Sequence, residues 1–132
     1  MNKVIVDTSA WIEYFRPHGD AGLKEAIKPL ISEVRVLLPG ITRMEILRGA
    51  RSRKEYEMLD DLLRSLIHLP VTEDFWGRLS RFSFDLFRKG IVVPLTDTYI
   101  ALVAIENNAH LLHRDKHFAL IAQETGLEIL KV

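Results

Sequence analysis

The chain has no cysteine, and its 132 residues include only 7 Gly and 5 Pro. Without cysteine there is no disulfide framework, no thiolate-ligated zinc and no thiol nucleophile, so any metal must be held by carboxylates or histidines. So little Gly and Pro excludes a collagen-like or low-complexity chain. An excess of one charge is also missing: 18 basic residues balance 18 acidic ones, for a net charge of zero. No global basic field attracts nucleic acid, and only local patches could. No apolar run approaches the roughly 20 residues needed to cross a bilayer, and Met1-Asn2-Lys3 leads into Val4-Ile5-Val6 without a signal-peptide pattern. The expectation is a cytoplasmic protein with no membrane association. What is present is a chain 48% hydrophobic, without repeat or linker. Residues 1–132 are therefore read as one domain that buries about two-thirds of its unfolded surface.

Short β-branched runs alternate with segments of helical period, which predicts βα units around a mostly parallel sheet, an α/β fold. Strands are expected at Lys3–Val6, Val34–Leu38, Ile67–Leu69, Ala109–Leu112 and Leu127–Leu130, with a further extended stretch at Ile91–Val93. Thr8 or Ser9 is expected to cap the first helix, and the second, from Ala21, to stop at Lys28 before Pro29. Thr42 opens a third helix, whose Met44 and Leu47 are expected to face the core with Ile46 at the margin and Glu45 elsewhere. Further helices are expected over Lys54–Leu66, from Thr72 or Asp74 to Lys89, from Thr96-Asp97 to Ile105, and from Lys116 to Thr125. The aromatic residues of the helix after Thr72 are expected in the core.

Four acids, Asp7, Glu45, Asp97 and Asp115, fall where a strand gives way to a helix or in the first turn beyond. In an open parallel sheet those junctions share one edge, where ligands bind. A helix of about ten residues descends roughly 15 Å and a strand of four or five returns a similar distance, so Asp97 and Asp115 should finish side by side. Carboxylates crowded at neutral pH repel one another, and a hard divalent cation, Mg²⁺ or Mn²⁺, stabilises such a cluster. It would also activate water and neutralise a scissile phosphate. Helix capping is the competing explanation, since Asp7, Asp97 and Asp115 suit N-caps and Thr42-x-x-Glu45 matches a capping box.

Four ordered blocks carry a resemblance: Val6-Asp7-Thr8-Ser9-Ala10-Trp11-Ile12-Glu13-Tyr14-Phe15, Glu45-Ile46-Leu47-Arg48-Gly49, Pro94-Leu95-Thr96-Asp97-Thr98-Tyr99-Ile100-Ala101 and Leu111-Leu112-His113-Arg114-Asp115-Lys116-His117-Phe118. Together they resemble the PIN-domain ribonucleases, most closely the VapC toxins of prokaryotic toxin-antitoxin pairs. The resemblance implies a PIN-like three-layer sandwich and a Mg²⁺- or Mn²⁺-dependent endoribonuclease acting on structured RNA such as tRNA. Asp7, Glu45, Asp97 and Asp115 would be its catalytic and metal-binding residues, with the Thr8 or Ser9 hydroxyl as helper. It also implies a cognate antitoxin, packing near Trp11, Tyr14 and Phe15 and sending a basic side chain into the acids. A homodimer is the expected assembly. His113 stands where the family often has Thr or Ser, and His117 where a further Asp is common.

His113 and His117 flank Asp115, but a helix starting only after Asp115 weakens helical spacing as a metal motif, and a structural or exposed role is expected for both. Arg48 and Arg51, close to Glu45, are candidate RNA contacts within a charged stretch that also reads as a solvated helix face. The alternatives are a phosphoacceptor signalling domain and a non-catalytic PIN-like interaction module. The first would want an acid pair after the first strand and a lysine ending a late strand, whereas Asp7 stands alone and Leu112 is followed by His113.

Overall fold

The computed structural model describes residues 2–132. They form five strands, β1 (Val4–Val6), β2 (Val36–Pro39), β3 (Ile67–Leu69), β4 (His110–Leu112) and β5 (Glu128–Ile129), and seven helices: α1 (Thr8–Phe15), α2 (Ala21–Ser32), α3 (Gly40–Arg48), α4 (Arg53–Arg64), α5 (Glu73–Arg88), α6 (Leu95–Glu106) and α7 (His117–Glu124). The strands build one sheet in the order β3-β2-β1-β4-β5, every neighbouring pair parallel.

Alternation along the strands divides the core into two layers, because successive side chains leave opposite faces of a sheet. Ile5, Leu37 and Leu111 enter a cluster with Phe75 and Leu86 of α5, Ile100 of α6 and Phe118 of α7. Val4, Val6, Val36, Leu38 and Leu112 face the other way, toward Trp11 of α1, Leu23 and Ile27 of α2, Ile46 of α3 and Leu63 of α4. The sheet is thus the middle of a three-layer sandwich, which explains why its central strands are apolar without interruption.

Three helices end in the same way. After α2, α5 and α6 the chain takes a left-handed residue, Val34 (φ 54°), Gly90 (φ 83°) and Asn108 (φ 51°). The following N–H reaches back to the helix: Arg35 N–H to the Leu30 carbonyl, Ile91 N–H to Leu86 and Ala109 N–H to Ala104. These are Schellman closures, for which Gly and Asn are suited and a β-branched valine is not. The cap at Val34 delays β2 to Val36, where the sequence predicted a strand from Val34.

Other departures are local. α2 runs through Pro29 to Ser32, because Pro29 lies on an exposed side where solvent can serve the carbonyl left without its N–H partner. Asp7, not Thr8 or Ser9, caps α1. Ile91–Val93 forms no strand. On α3 it is Ile46 that is buried and Met44 that is exposed, a rotation of the helix set by the grip on Glu45 described below. On α5 only Phe75 and Leu86 are fully buried, whereas Trp76, Phe84 and Phe87 are exposed. A helix of sixteen residues laid on a sheet offers it one stripe, and its remaining aromatics face outward.

Candidate active site

Asp7 follows β1 directly. Its N–H donates to the Leu112 carbonyl at 2.9 Å, which joins the exits of β1 and β4. The carboxylate accepts from the Ser9 N–H at 3.0 Å and from the Ser9 hydroxyl at 2.6 Å. The Ser9 oxygen accepts in turn from the Arg114 N–H at 3.0 Å. Capping and site geometry are therefore not rivals at Asp7: the bond that starts the helix also aims the carboxylate.

Glu45 comes from α3, across the sheet edge. Its Oε1 accepts from the Thr8 hydroxyl at 2.8 Å, so Thr8 ties it to the segment carrying Asp7. The Thr42-Glu45 capping box does not form: α3 begins earlier, at Gly40, and the buried Thr42 hydroxyl has no hydrogen-bond partner.

Asp97 lies in the first turn of α6 but does not cap it; Pro94 holds the cap position. It is only 7% exposed. Asp115 follows β4, where its Oδ1 accepts from the His117 N–H at 2.9 Å. The expected meeting of these two acids is realised, since His117 Nδ1 is 3.1 Å from Asp97 Oδ2 and 2.8 Å from Asp115 Oδ1. Burial pushes the Asp97 carboxyl up to about 6; the negative charges of Asp115 and Asp7 add to this, as does a hydrogen bond with Asp115, while His117 acts in the opposite sense. Asp7, Asp97 and Asp115 thus share one electrostatic neighbourhood.

The two histidines differ. His113 Nδ1 accepts from the Asp115 N–H at 3.1 Å, which leaves its ring proton on Nε2. The ring packs on Phe118, and burial holds its pKa below the ordinary value, the structural role expected of it. His117 departs from that expectation by entering the acid cluster. Spacing on a helix could not have found it, because α7 begins at His117 itself; the usable signal was Asp115-Lys116-His117, a turn that folds the third residue back over the first.

Arg48 and Arg51 are exposed, in the last turn of α3 and in the turn that follows. Among the described residues neither forms an ion pair with the four acids. Arg43 holds Asp60 of α4 at 2.6 Å and so serves the fold. Trp11 is wholly buried and stacks on Phe15 with ring centres 5.5 Å apart, so it offers no surface to a partner. Tyr14 and Phe15 are half-buried.

The donor set suits a divalent cation. Asp97, Asp115 and His117 present ligand atoms all within 4.8 Å of one another; the Asp7 charge acts on Asp97, and Glu45 is tied by Thr8 to the segment that carries Asp7. Burial first, and then the charges of Asp115 and Asp7, disfavour the ionised Asp97, and a bound cation would offset these penalties.

Residues 4–124 match the family model described as PIN domain. Over 129 residues the chain is 33% identical to Ribonuclease VapC11 of Mycobacterium tuberculosis, an alignment covering 95% of this chain and 96% of that one. Ribonuclease VapC1 of Methanocaldococcus jannaschii is 29% identical over 129 residues, covering 97% of this chain and 87% of its own. Among solved structures, DNA-bound VapBC from Salmonella typhimurium contains a chain of the same fold, with a TM-score of 0.80 and 22% identity over 98% of both chains.

Proposed function

The chain belongs to the PIN-domain family, and from that premise we propose that it is an endoribonuclease, the toxin of a toxin-antitoxin pair, with Asp7, Glu45, Asp97 and Asp115 as its catalytic, metal-holding residues. The observation that carries the catalytic assignment is the convergence of Asp97, Asp115 and His117, whose ligand atoms lie within 4.8 Å of one another, with Asp97 buried and facing the charges of Asp115 and Asp7. A fold keeps such a concentration of like charge at a cost to its own stability, and functional sites are where this occurs. Mg²⁺ or Mn²⁺ is the cofactor of this reading. When bound, the cation supplies Lewis acidity for water and charge for the scissile phosphate.

The protein's own groups position that chemistry. Ser9 aims the Asp7 carboxylate, Thr8 aims Glu45, and the Asp7 N–H bond to Leu112 keeps the β1 and β4 exits in register. Such preorganisation leaves little to rearrange as charge develops on the phosphate. Arg48 and Arg51, exposed beyond Glu45, are available to flanking phosphates and would orient the RNA without reading its sequence.

The substrate in this reading is structured RNA such as tRNA. The partner is an antitoxin, as in the toxin-antitoxin complex of Klebsiella pneumoniae that shares this fold, with a basic side chain that enters the acids and blocks the cation. The protein acts as a cytoplasmic homodimer. The test is incubation of purified protein with folded RNA, tRNA included, with Mg²⁺, with Mn²⁺ and with chelator. Cleavage is expected only with a cation and not at all in a folded Asp7→Asn variant. Full activity in that variant refutes the assignment.

A further inference from the structure

His117 brings a nitrogen donor into a cluster otherwise made of carboxylates. It is the first residue of α7, and the turn from Asp115 is closed by its own N–H donating to Asp115 Oδ1. That bond fixes the backbone so that the ring folds back over the acids. Nδ1 then stands 2.8 Å from Asp115 Oδ1 and 3.1 Å from Asp97 Oδ2. Adjacent donors around an octahedral ion with bonds of about 2.1 Å lie roughly 3.0 Å apart. The separations from Nδ1 to both oxygens match that value, and the three atoms come from two elements anchored independently, α6 and the β4–α7 turn.

We propose, on the premise that this edge is the metal-dependent nuclease centre, that His117 is itself a metal ligand through Nδ1 and biases the site toward Mn²⁺ over Mg²⁺. An Nδ1 within 3.1 Å of one oxygen from each of two carboxylates is placed to complete a cation's donor set with them. Mg²⁺ gains little from exchanging an oxygen donor for imidazole, because it is a hard ion that favours oxygen and dehydrates reluctantly. First-row transition ions accept imidazole readily, so a nitrogen in the ligand set raises their affinity relative to Mg²⁺. A further carboxylate at position 117 would add negative charge to a cluster that already gathers several acids, whereas an imidazole completes the donor set without adding negative charge.

The experiment uses Mn²⁺ as the probe, bound to the intact protein, and reads ¹⁴N coupling to the ion by pulsed electron paramagnetic resonance. Mg²⁺ competition measures the Mn²⁺/Mg²⁺ affinity ratio. A ¹⁴N coupling is expected in the wild type and none in His117→Asp. The affinity ratio is expected to fall by roughly tenfold, because an oxygen replaces the nitrogen donor that favours Mn²⁺ over Mg²⁺. His117→Gln serves as the second variant should His117→Asp fail to fold. Mn²⁺ bound to the wild type without ¹⁴N coupling overturns the inference and leaves the nuclease assignment standing. A coupling that persists in both variants also overturns it, because the nitrogen then belongs to another residue such as His113. Mn²⁺ binding that is absent, or unchanged in Asp97→Asn, overturns both.

Discussion

Replacing Asp97 with Asn should make the metal-free protein more stable while abolishing cleavage. The carboxyl is raised from 3.8 to about 6 in the folded state, and every tenfold change in proton affinity corresponds to about 1.4 kcal/mol. The folded state therefore favours the protonated acid. Stability from this group is full below about pH 4 and is lost as pH rises through 6, so above that the wild type carries a cost on the order of 3 kcal/mol. Asparagine cannot ionise and escapes the cost, though its amide reproduces the hydrogen bond to Asp115 imperfectly. A gain of roughly 2 kcal/mol at pH 7.5 is expected, shrinking toward zero near pH 4. Urea unfolding at both pH values with chelator measures it. Excess Mn²⁺ should narrow or reverse the gap, because an ion that binds only the folded wild type stabilises it by mass action. A variant less stable than wild type at pH 7.5 with chelator, or a gap equal at both pH values, refutes the reasoning.

Thr8→Val removes the donor to Glu45; RNA cleavage assays should show at least about a tenfold loss, with thermal unfolding shifted by no more than about 1.5 kcal/mol, the range of one hydrogen bond. Thr42→Val replaces a buried hydroxyl that has no partner with a methyl of similar size, and denaturant unfolding should show a gain of roughly 1 kcal/mol. Val34→Gly relieves a β-branched residue held at φ 54°. Because Val34 is exposed and little burial is lost, calorimetry should find stability raised by about 1 kcal/mol.

The short β-branched runs that marked the strands form the central sheet, and so the parallel fold and the meeting of Asp97 with Asp115 were legible in the residues alone. What escaped was decided by contacts between distant segments. Met44 would suit a core position by its spacing from Leu47, but the Thr8 bond to Glu45 turns α3 so that Ile46 goes inward instead. His117 showed no helical partner because its place in the cluster comes from a turn, and turn geometry depends on one side-chain-to-backbone bond that periodicity does not record. Trp76, Phe84 and Phe87 carry the composition of core residues; only the packing of α5 on the sheet shows which of its aromatics have a surface to meet.

The position of β1 at the middle of the sheet sets the order in which the molecule can come into being. One of its neighbours, β2, is near in sequence, whereas the other, β4, pairs Val4 with His110, and the Ser9–Arg114 bond that braces Asp7 spans 105 positions. During synthesis β1 therefore waits as an edge, with unpaired N–H and C=O groups, until β4 has been made. So long a closure is slow as well as late. Asp115 is translated more than a hundred residues after Asp7, so the four acids cannot meet on a chain made only part of that way. On the proposed assignment of those acids, RNA cleavage must wait until β4 has emerged and docked, a delay that requires no partner protein.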